Sequence, residues 1–412
     1  MIPHAVDEGT RRTEVLQIAA ALIANSGLRT SMHEIAAAAG IQTGSLYHHF
    51  ESKEALLTEL LRRYHTELDR IGVHTLDTLD DPDTRPAFAR IAELGIAVAR
   101  CAVAHRAAIQ ISLYEAPDSN PELVRPTVIL EAMYQTLRAA RWSGYVRSDV
   151  DLRMLAERIC QTMLQIGLDV VRRNAPTDQL AIVLCRIMLE GFSTGQPRDD
   201  ELDRSAAFVA ADQAIQAWTD DSDVDDRTAH IRAVARAEFG RRGYESTSVR
   251  DIAAAAGLGQ GTRFRLIGSK EALLASIMSS FNEKVDAGSK RVLRSQASPV
   301  AKLDALSWVD TNALDRFGDE FRIQLAWMRQ IPPDTPNPSM QFPKRLRQIK
   351  SLLSEGIRSR EIRSYDAPLE MLARCVIVLK WIPASILGEV GTRAALIHIR
   401  DTMLRGVVSA SR

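Results

Sequence analysis

One motif is written twice in this 412-residue chain, and any fold it adopts has to hold both copies. The first copy runs Ile35-Ala36-Ala37-Ala38-Ala39-Gly40-Ile41, then Gly44-Ser45-Leu46-Tyr47-His48-His49-Phe50, then Ser52-Lys53-Glu54. The second runs Ile252-Ala253-Ala254-Ala255-Ala256-Gly257-Leu258, then Gly261-Thr262-Arg263-Phe264-Arg265-Leu266-Ile267, then Ser269-Lys270-Glu271. Each copy reads as a short helix, a turn at glycine, a second short helix, and a serine N-cap that opens a longer helix. That is the pattern of a helix-turn-helix, whose second helix can lie in the major groove of DNA. The alanine runs permit close helix packing and carry no base information.

The pattern resembles the DNA-binding head of the TetR family of bacterial repressors. Copy one carries Gly27, Thr30, Ser31, Ile35, Ala36, Gly40, Gly44, Leu46, Tyr47, His49, Phe50, Ser52 and Lys53 of that signature. Copy two carries Gly243, Thr247, Ser248, Ile252, Ala253, Gly257, Gly261, Phe264, Ser269 and Lys270. It departs from the signature where Arg263 stands for a leucine, Phe264 for the tyrosine, and Leu266-Ile267 for the His-Phe pair. The echo continues beyond the heads. Val146-Arg147 returns as Ile362-Arg363, and Met188-Leu189 with Gly191 returns as Met403-Leu404 with Gly406. The architecture is similar to tandem TetR-type repressors of actinobacteria, one of which, in mycobacteria, controls a lipid-uptake (mammalian-cell-entry) operon.

The resemblance implies an all-α fold of two TetR-like units. Each has a three-helix head and a helical ligand and dimerisation domain, and the two close on each other as an intrachain pseudo-dimer. The expected boundaries are a first head at 11–57, a first helical domain at 58–193, a linker with one helix at 194–226, a second head at 227–274 and a second helical domain at 275–412. Strand-like alternation is absent, and apolar residues recur at i, i+3 and i+4, as helices require. Within the join, Leu202–Trp218 reads as an amphipathic helix, and Asp220–Asp226 reads as a solvated acidic run. In unit two a helix is expected over Pro368–Leu387 with a bend at Pro383, followed by one over Arg393–Val408. Near Trp327, Pro332, Pro333, Pro336, Pro338 and Pro343 mark an ordered loop.

Lys+Arg and Asp+Glu both number 52, an unusual balance for a protein expected to meet a polyanion. The distribution matters more than the sum. Arg11–Leu57 holds four basic and four acidic residues, whereas Arg227–Leu274 holds nine basic and four acidic. Head two is therefore expected to supply more of the counterion-release term. No apolar run of about 18 residues occurs, and Met1–Thr10 lacks a signal-peptide core, so a cytoplasmic protein without a membrane span is expected. Cys101, Cys160, Cys185 and Cys375 form no C-x-x-C pair, sit in apolar helical stretches and read as buried thiols.

In head one, Gln42, Thr43 and Ser45 are candidate base readers, since glutamine can bond adenine edges and a threonine methyl can touch thymine. Thr30, Tyr47 and His48 resemble family positions that bind phosphates, and Lys53 lies at a helix start, where free amides and the dipole also favour phosphate; such contacts position without specifying. Head two offers Gln260, Thr262, Arg263, Phe264 and Arg265 at the groove, with Thr247 and Lys270 for phosphates. Arginine is the commonest bidentate reader of guanine. His33, His48 and His49 lack ligand spacing, so no metal is expected, and no cofactor is implied. Trp308, Phe317, Phe321 and Trp327 are candidate lining for an apolar pocket, although helical spacing also suits them to plain core.

The function expected from these features is a repressor on double-stranded DNA, released by a small apolar, lipid-like ligand. It would act as a monomeric pseudo-dimer on an asymmetric operator, a homodimer being the other assembly the chain allows. The competing reading is a helical adaptor or ligand sensor whose second head no longer reads DNA. No glycine-rich phosphate loop or nucleophile elbow is present, and an enzyme is not expected.

Overall fold

The computed structural model describes residues 4–28, 30–79, 85–111, 127–173, 176–218, 226–244, 247–258, 268–329 and 342–409. Every extended element among them is a helix. Unit one contains α1 (His4–Ser26), α2 (Met32–Ala38), α3 (Thr43–His49), α4 (Lys53–Asp77), α5 (Ala87–Ala104), α6 (Arg106–Ile111), α7 (Thr127–Trp142), α8 (Leu152–Arg173) and α9 (Thr177–Glu190). The join forms α10 (Asp199–Asp203) and α11 (Ala206–Gln216). Unit two contains α12 (Asp226–Arg242), α13 (Val249–Ala255), α14 (Lys270–Arg294), α15 (Pro299–Arg316), α16 (Gly318–Arg329), α17 (Phe342–Arg358), α18 (Leu369–Leu379) and α19 (Ala384–Ile399). The last helix continues into a wider π-helical turn, Arg400–Arg405.

Apolar stripes decide the packing. On α5, Ile91, Leu94, Val98 and Cys101 are buried at helical spacing, and this face packs on α8 and α9. All four cysteines are free and buried, as their apolar settings predict, and burial pushes the thiols of Cys101, Cys160 and Cys185 up to about 12. Among the described residues no single helix is long and apolar enough to cross a membrane. Pro383 does more than bend a helix. It cannot donate to the preceding turn, so α18 ends at Leu379 and the chain restarts at α19, turned by 84°. A further break comes at Gly391, with φ 76° and ψ 170°. Residues 330–341, which hold Pro332, Pro333, Pro336 and Pro338, lie outside the described residues, whereas Pro343, expected in the same loop, falls in the first turn of α17, where no helical N–H bond is lost.

The join is not a free linker. Ser205 splits the expected single helix by accepting from the Phe208 amide at 3.1 Å, which starts α11 afresh. Ala207, Ala211, Ala214 and Ile215 are buried, and this stripe docks α11 against α14 and α15 of unit two. Arg316 donates to the Ile215 carbonyl at 3.0 Å, and the Trp218 indole donates to the Lys284 carbonyl at 3.2 Å. At the other end, Arg400 is fully buried and bonds Asp304 of α15 together with Asp199 and Asp203 of α10. Residues 199–218 thus pack against the helices of unit two.

The two units meet through matched pairs of backbone hydrogen bonds. Arg147 N donates to Val407 O at 2.9 Å, and Arg363 N donates to Phe192 O at 2.8 Å. Ser409 N donates to Tyr145 O at 2.9 Å, and Thr194 N to Glu361 O at 3.0 Å. Val146 bridges Val408, and Ser193 bridges Ile362. Each unit's tail therefore pairs with the turn that precedes the penultimate long helix of the other. Positions that echo each other in sequence occupy equivalent places, as in the self-complementary interface of a two-fold dimer. At the centre, Gly191 and Gly406 take φ of 76° and 79°. A Cβ on either would stand 2.3 Å from backbone of the opposite unit, at Arg405 and at Glu190 respectively. Only glycine satisfies both the left-handed backbone and that approach.

Candidate nucleic-acid interface

Head one is assembled on a capping box. The Ser31 hydroxyl accepts from the Glu34 amide, and the Glu34 carboxylate accepts from the Ser31 amide, which fixes the start of α2. That contact also holds the exposed Glu34 carboxyl below its ordinary value. Gly40, with φ of 64°, turns the chain towards α3. The second helix is pinned by Leu46 and Phe50, both buried, while Arg12 lies over the Phe50 ring at 4.5 Å. Pinning that side leaves Gln42, Ser45, Tyr47 and His48 exposed. Thr43 is half-buried, and its hydroxyl is 3.3 Å from His33 Nδ1.

The head is tied to α4 by charge. Glu59 binds Arg62 and Arg63 of its own helix and lies 3.6 Å from Arg12 of α1, while Arg63 also donates to the Thr13 hydroxyl. The hydrogen bonds from Arg62 hold the Glu59 carboxyl down at about 2.

Thr30 and Thr247 are both buried. The Thr30 hydroxyl donates to Gly27 O at 2.9 Å and that of Thr247 to Gly243 O at 2.8 Å. They close the turn after the first helix of each head. A sequence motif records that such a threonine is required, but not for which partner. The paired lysines at the start of the long helices are also engaged. Lys53 donates to the Leu28 carbonyl, and burial lowers its pKa. Lys270 lies over the Tyr244 ring at 4.2 Å.

Head two keeps the same frame. Ser248 and Asp251 form its capping box, Gly257 turns at φ 66°, and Ser269 caps α14 by accepting from the Ala272 amide. The candidate readers Gln260, Thr262, Arg263, Phe264 and Arg265 lie outside the described residues. Arg236 of α12 pairs with the buried Glu320 of α16 at 3.1 Å, linking this head to its helical domain.

The aromatic candidates for a ligand pocket are drawn into packing. Trp308 stacks on Phe208 of the join at 5.6 Å and donates its indole N–H to Asp212 at 3.3 Å. Phe317 packs between Trp218 and Phe281. These rings meet the docked helix α11, which supplies the packing partners their helical spacing left unspecified. Phe321 meets Trp381 edge-on at 5.6 Å. The Trp327 side chain lies outside the described residues. An open cleft of about 230 Å³ lies elsewhere, between α8 of unit one and the α18–α19 corner of unit two, and Trp381 is part of its wall. Sequence reading missed it. The available signal was a polar stripe, Arg158, Thr162 and Gln165, at i, i+4 and i+7 on a helix expected to be bundle core.

Comparison with known proteins follows the same division. The family described as bacterial regulatory proteins, tetR family, matches residues 15–60 and 231–277, one match in each head. The HTH-type transcriptional repressor KstR2 of Mycobacterium tuberculosis is 33% identical over 195 residues, covering 44% of this chain and 95% of that protein. The protein of the same description from Rhodococcus jostii is 51% identical over 73 residues, and the chain spans 36% of that relative's length. A solved structure of a ketosteroid transcriptional regulator, KstR2 of Mycobacterium tuberculosis, aligns with 44% of this chain and 86% of its own at 20% identity and a TM-score of 0.34. With family matches in both heads and a relative one third identical along nearly its whole length, this chain belongs to the tetR family of bacterial regulatory proteins.

Proposed function

We propose that the chain is a DNA-binding transcriptional repressor in which one polypeptide does the work of a dimer. The observation that carries this reading is the seam. Its paired hydrogen bonds, from Arg147 to Val407 and from Arg363 to Phe192, relate the two units as two subunits are related in an isologous dimer. Repression is the role named for the relatives in Mycobacterium and Rhodococcus. Since Gln42-Thr43-Gly44-Ser45 and Gln260-Gly261-Thr262-Arg263 differ, the operator should consist of two unlike half-sites. They should lie about one helical turn, ~34–36 Å, apart. Release by a small lipid-like ligand completes the proposal. It rests on the family resemblance and on the apolar helical surface that follows each head, and such a ligand would act by changing the separation or tilt of the heads.

Selection of bound fragments from a genomic DNA pool tests the operator. Two different half-sites are expected, and recovery of a perfect palindrome would count against the proposal. Within such a site, Tyr47→Ala should weaken binding on every sequence to a similar degree, as loss of a phosphate contact does. The Arg263→Ala/Arg265→Ala double variant should lose roughly 1–3 kcal/mol for each guanine read, with relaxed specificity in one half-site only. Unchanged affinity and footprint in that variant would remove head two from the readers.

A further inference from the structure

The two heads share a frame but differ in what holds it. In head one, the consecutive residues Arg11 and Arg12 of α1 each take a carbonyl at the end of a motif helix, where no intrahelical donor is left. Arg11 Nη2 donates to Ala39 O, at the end of α2, at 2.9 Å. Arg12 Nε donates to His49 O, at the end of α3, at 3.4 Å. Arg12 also covers the Phe50 ring at 4.5 Å and stands 3.6 Å from Glu59, in the second turn of α4. One guanidinium thus joins its own helix to the end of α3 and to α4. Glu59 is held in turn: its side chain is only 11% exposed, and Arg62 and Arg63 both donate to it. Arg63 closes the ring by donating to Thr13 of α1 at 3.3 Å.

The charges around Glu59 do not recur in head two. Counting from Gly27 and Gly243, Arg12 corresponds to Thr228. Counting from Ser52 and Ser269, Glu59, Arg62 and Arg63 correspond to Ser276, Ser279 and Ser280. Head two is fastened elsewhere. Arg236 pairs with Glu320, and Arg322 donates to Gly240 O at 3.3 Å, so these ties run from α12 to α16. The difference matters because α3 has seven residues, too few to hold a helix on its own. Leu46 and Phe50 anchor one side of it, but apolar packing is non-directional. The contacts of Arg12 add a directional constraint at its end. Exposed ion pairs contribute little to stability, so the effect of this cluster is expected in the placement of α3 rather than in the stability of the head.

We propose that Arg12 is a positioning residue for base reading in head one, keying the recognition helix α3 to α4 through Glu59, a device that head two does not share. The proposal rests on the reading of the heads as DNA-binding. It makes the discrimination of one half-site depend on a charge pair that acts through α3 and not through a contact of its own with DNA.

The full chain is compared with Arg12→Gln and Glu59→Gln on the selected operator and on versions with single-base changes in one half-site, at fixed salt. Both variants are expected to lose roughly tenfold in discrimination at the half-site of head one, which Gln42→Ala identifies, about the worth of one base contact. Discrimination at the other half-site should stay parental. The double variant should lose no more than either single variant, because the two residues act as a unit. A direct phosphate contact by Arg12 predicts a different pattern. Arg12→Gln would then weaken binding on every sequence with a flatter salt dependence, while Glu59→Gln, which removes a negative charge, would strengthen it. That pattern overturns the proposal, as does parental discrimination in both variants, or a uniform loss of binding with a lowered thermal midpoint. A second readout needs no DNA. Exchange of the Leu46 and Phe50 amides, which donate to Gln42 O and Leu46 O, should quicken in both variants at an unchanged thermal midpoint. If the parent binds no DNA, the functional reading fails, and parental exchange at these two amides in both variants overturns the clamp as well.

Discussion

Gly191→Ala and Gly406→Ala are each expected to destabilise the chain by about 3 kcal/mol or more. Left-handed backbone at an alanine costs roughly 1–2 kcal/mol, and overpacking adds ~1–3 kcal/mol. The added methyl here meets backbone 2.3 Å away, which cannot rotate aside as a flexible side chain can. Denaturant titration gives the size of the loss, read as a lower midpoint at unchanged slope. A more informative reading is its location. Amide hydrogen exchange should rise first at Arg147, Ser193, Arg363 and Val408, the groups paired across the seam. By contrast, alanine at the exposed Gly44, where a Cβ meets nothing within 4 Å and φ is not positive, should leave the seam untouched. If the Gly191 and Gly406 variants kept parental stability and exchange, the close approach of the two tails would be refuted.

A loss of similar size is expected at a buried ion pair within unit two. Lys380, at the end of α18, binds Asp310 of α15, and both are buried. Asp310→Ala leaves an ammonium group in the interior with no carboxylate, a change worth about 3–5 kcal/mol of lost stability. Replacing both residues with apolar ones, as in Asp310→Leu/Lys380→Met, should recover most of the loss or exceed the parent. The single variant also carries a pH signature. Burial lowers the Lys380 pKa below the ordinary 10.5, and Asp310 is the group that raises it. Without that carboxylate the depression deepens. A depressed lysine is stable above its unfolded value and loses stability as pH falls through its folded value. The deficit of Asp310→Ala should therefore be greatest at neutral pH and shrink as pH rises toward 10.5. A deficit that did not change with pH would mean that the lysine reaches water when its partner is removed.

Much of this architecture is legible in the sequence because it is local. Ser31 and Ser248, Gly40 and Gly257, and Ser52 and Ser269 act through neighbours within four residues, so their spacing is enough to place them. The echo of Val146-Arg147 in Ile362-Arg363 likewise foretells equivalent roles, and both turns are found in the seam. What sequence cannot supply is the identity of a distant partner. The stripe on α11 demands burial, but nothing in it names α14 and α15 as the surface that buries it. Thr30 satisfies a family pattern whether its hydroxyl meets a phosphate or the Gly27 carbonyl three residues away. Arg158 reads as one more charge on a long helix until the corner at Pro383 is brought against it. Helix starts that lack a capping signal are similarly indistinct. The first helix begins at His4, although its amphipathic pattern becomes clear only at Thr13.

The measurement that bears most directly on the single-chain dimer is the mass of the protein–operator complex. Light scattering or native mass spectrometry across a range of concentrations gives the number of chains on one operator. A tethered partner holds its effective concentration whatever the dilution. One chain of 45.6 kDa per operator is therefore expected at every concentration, with both half-sites protected together. Two chains per operator, appearing as the protein concentration rises and protecting a symmetric site, would contradict it.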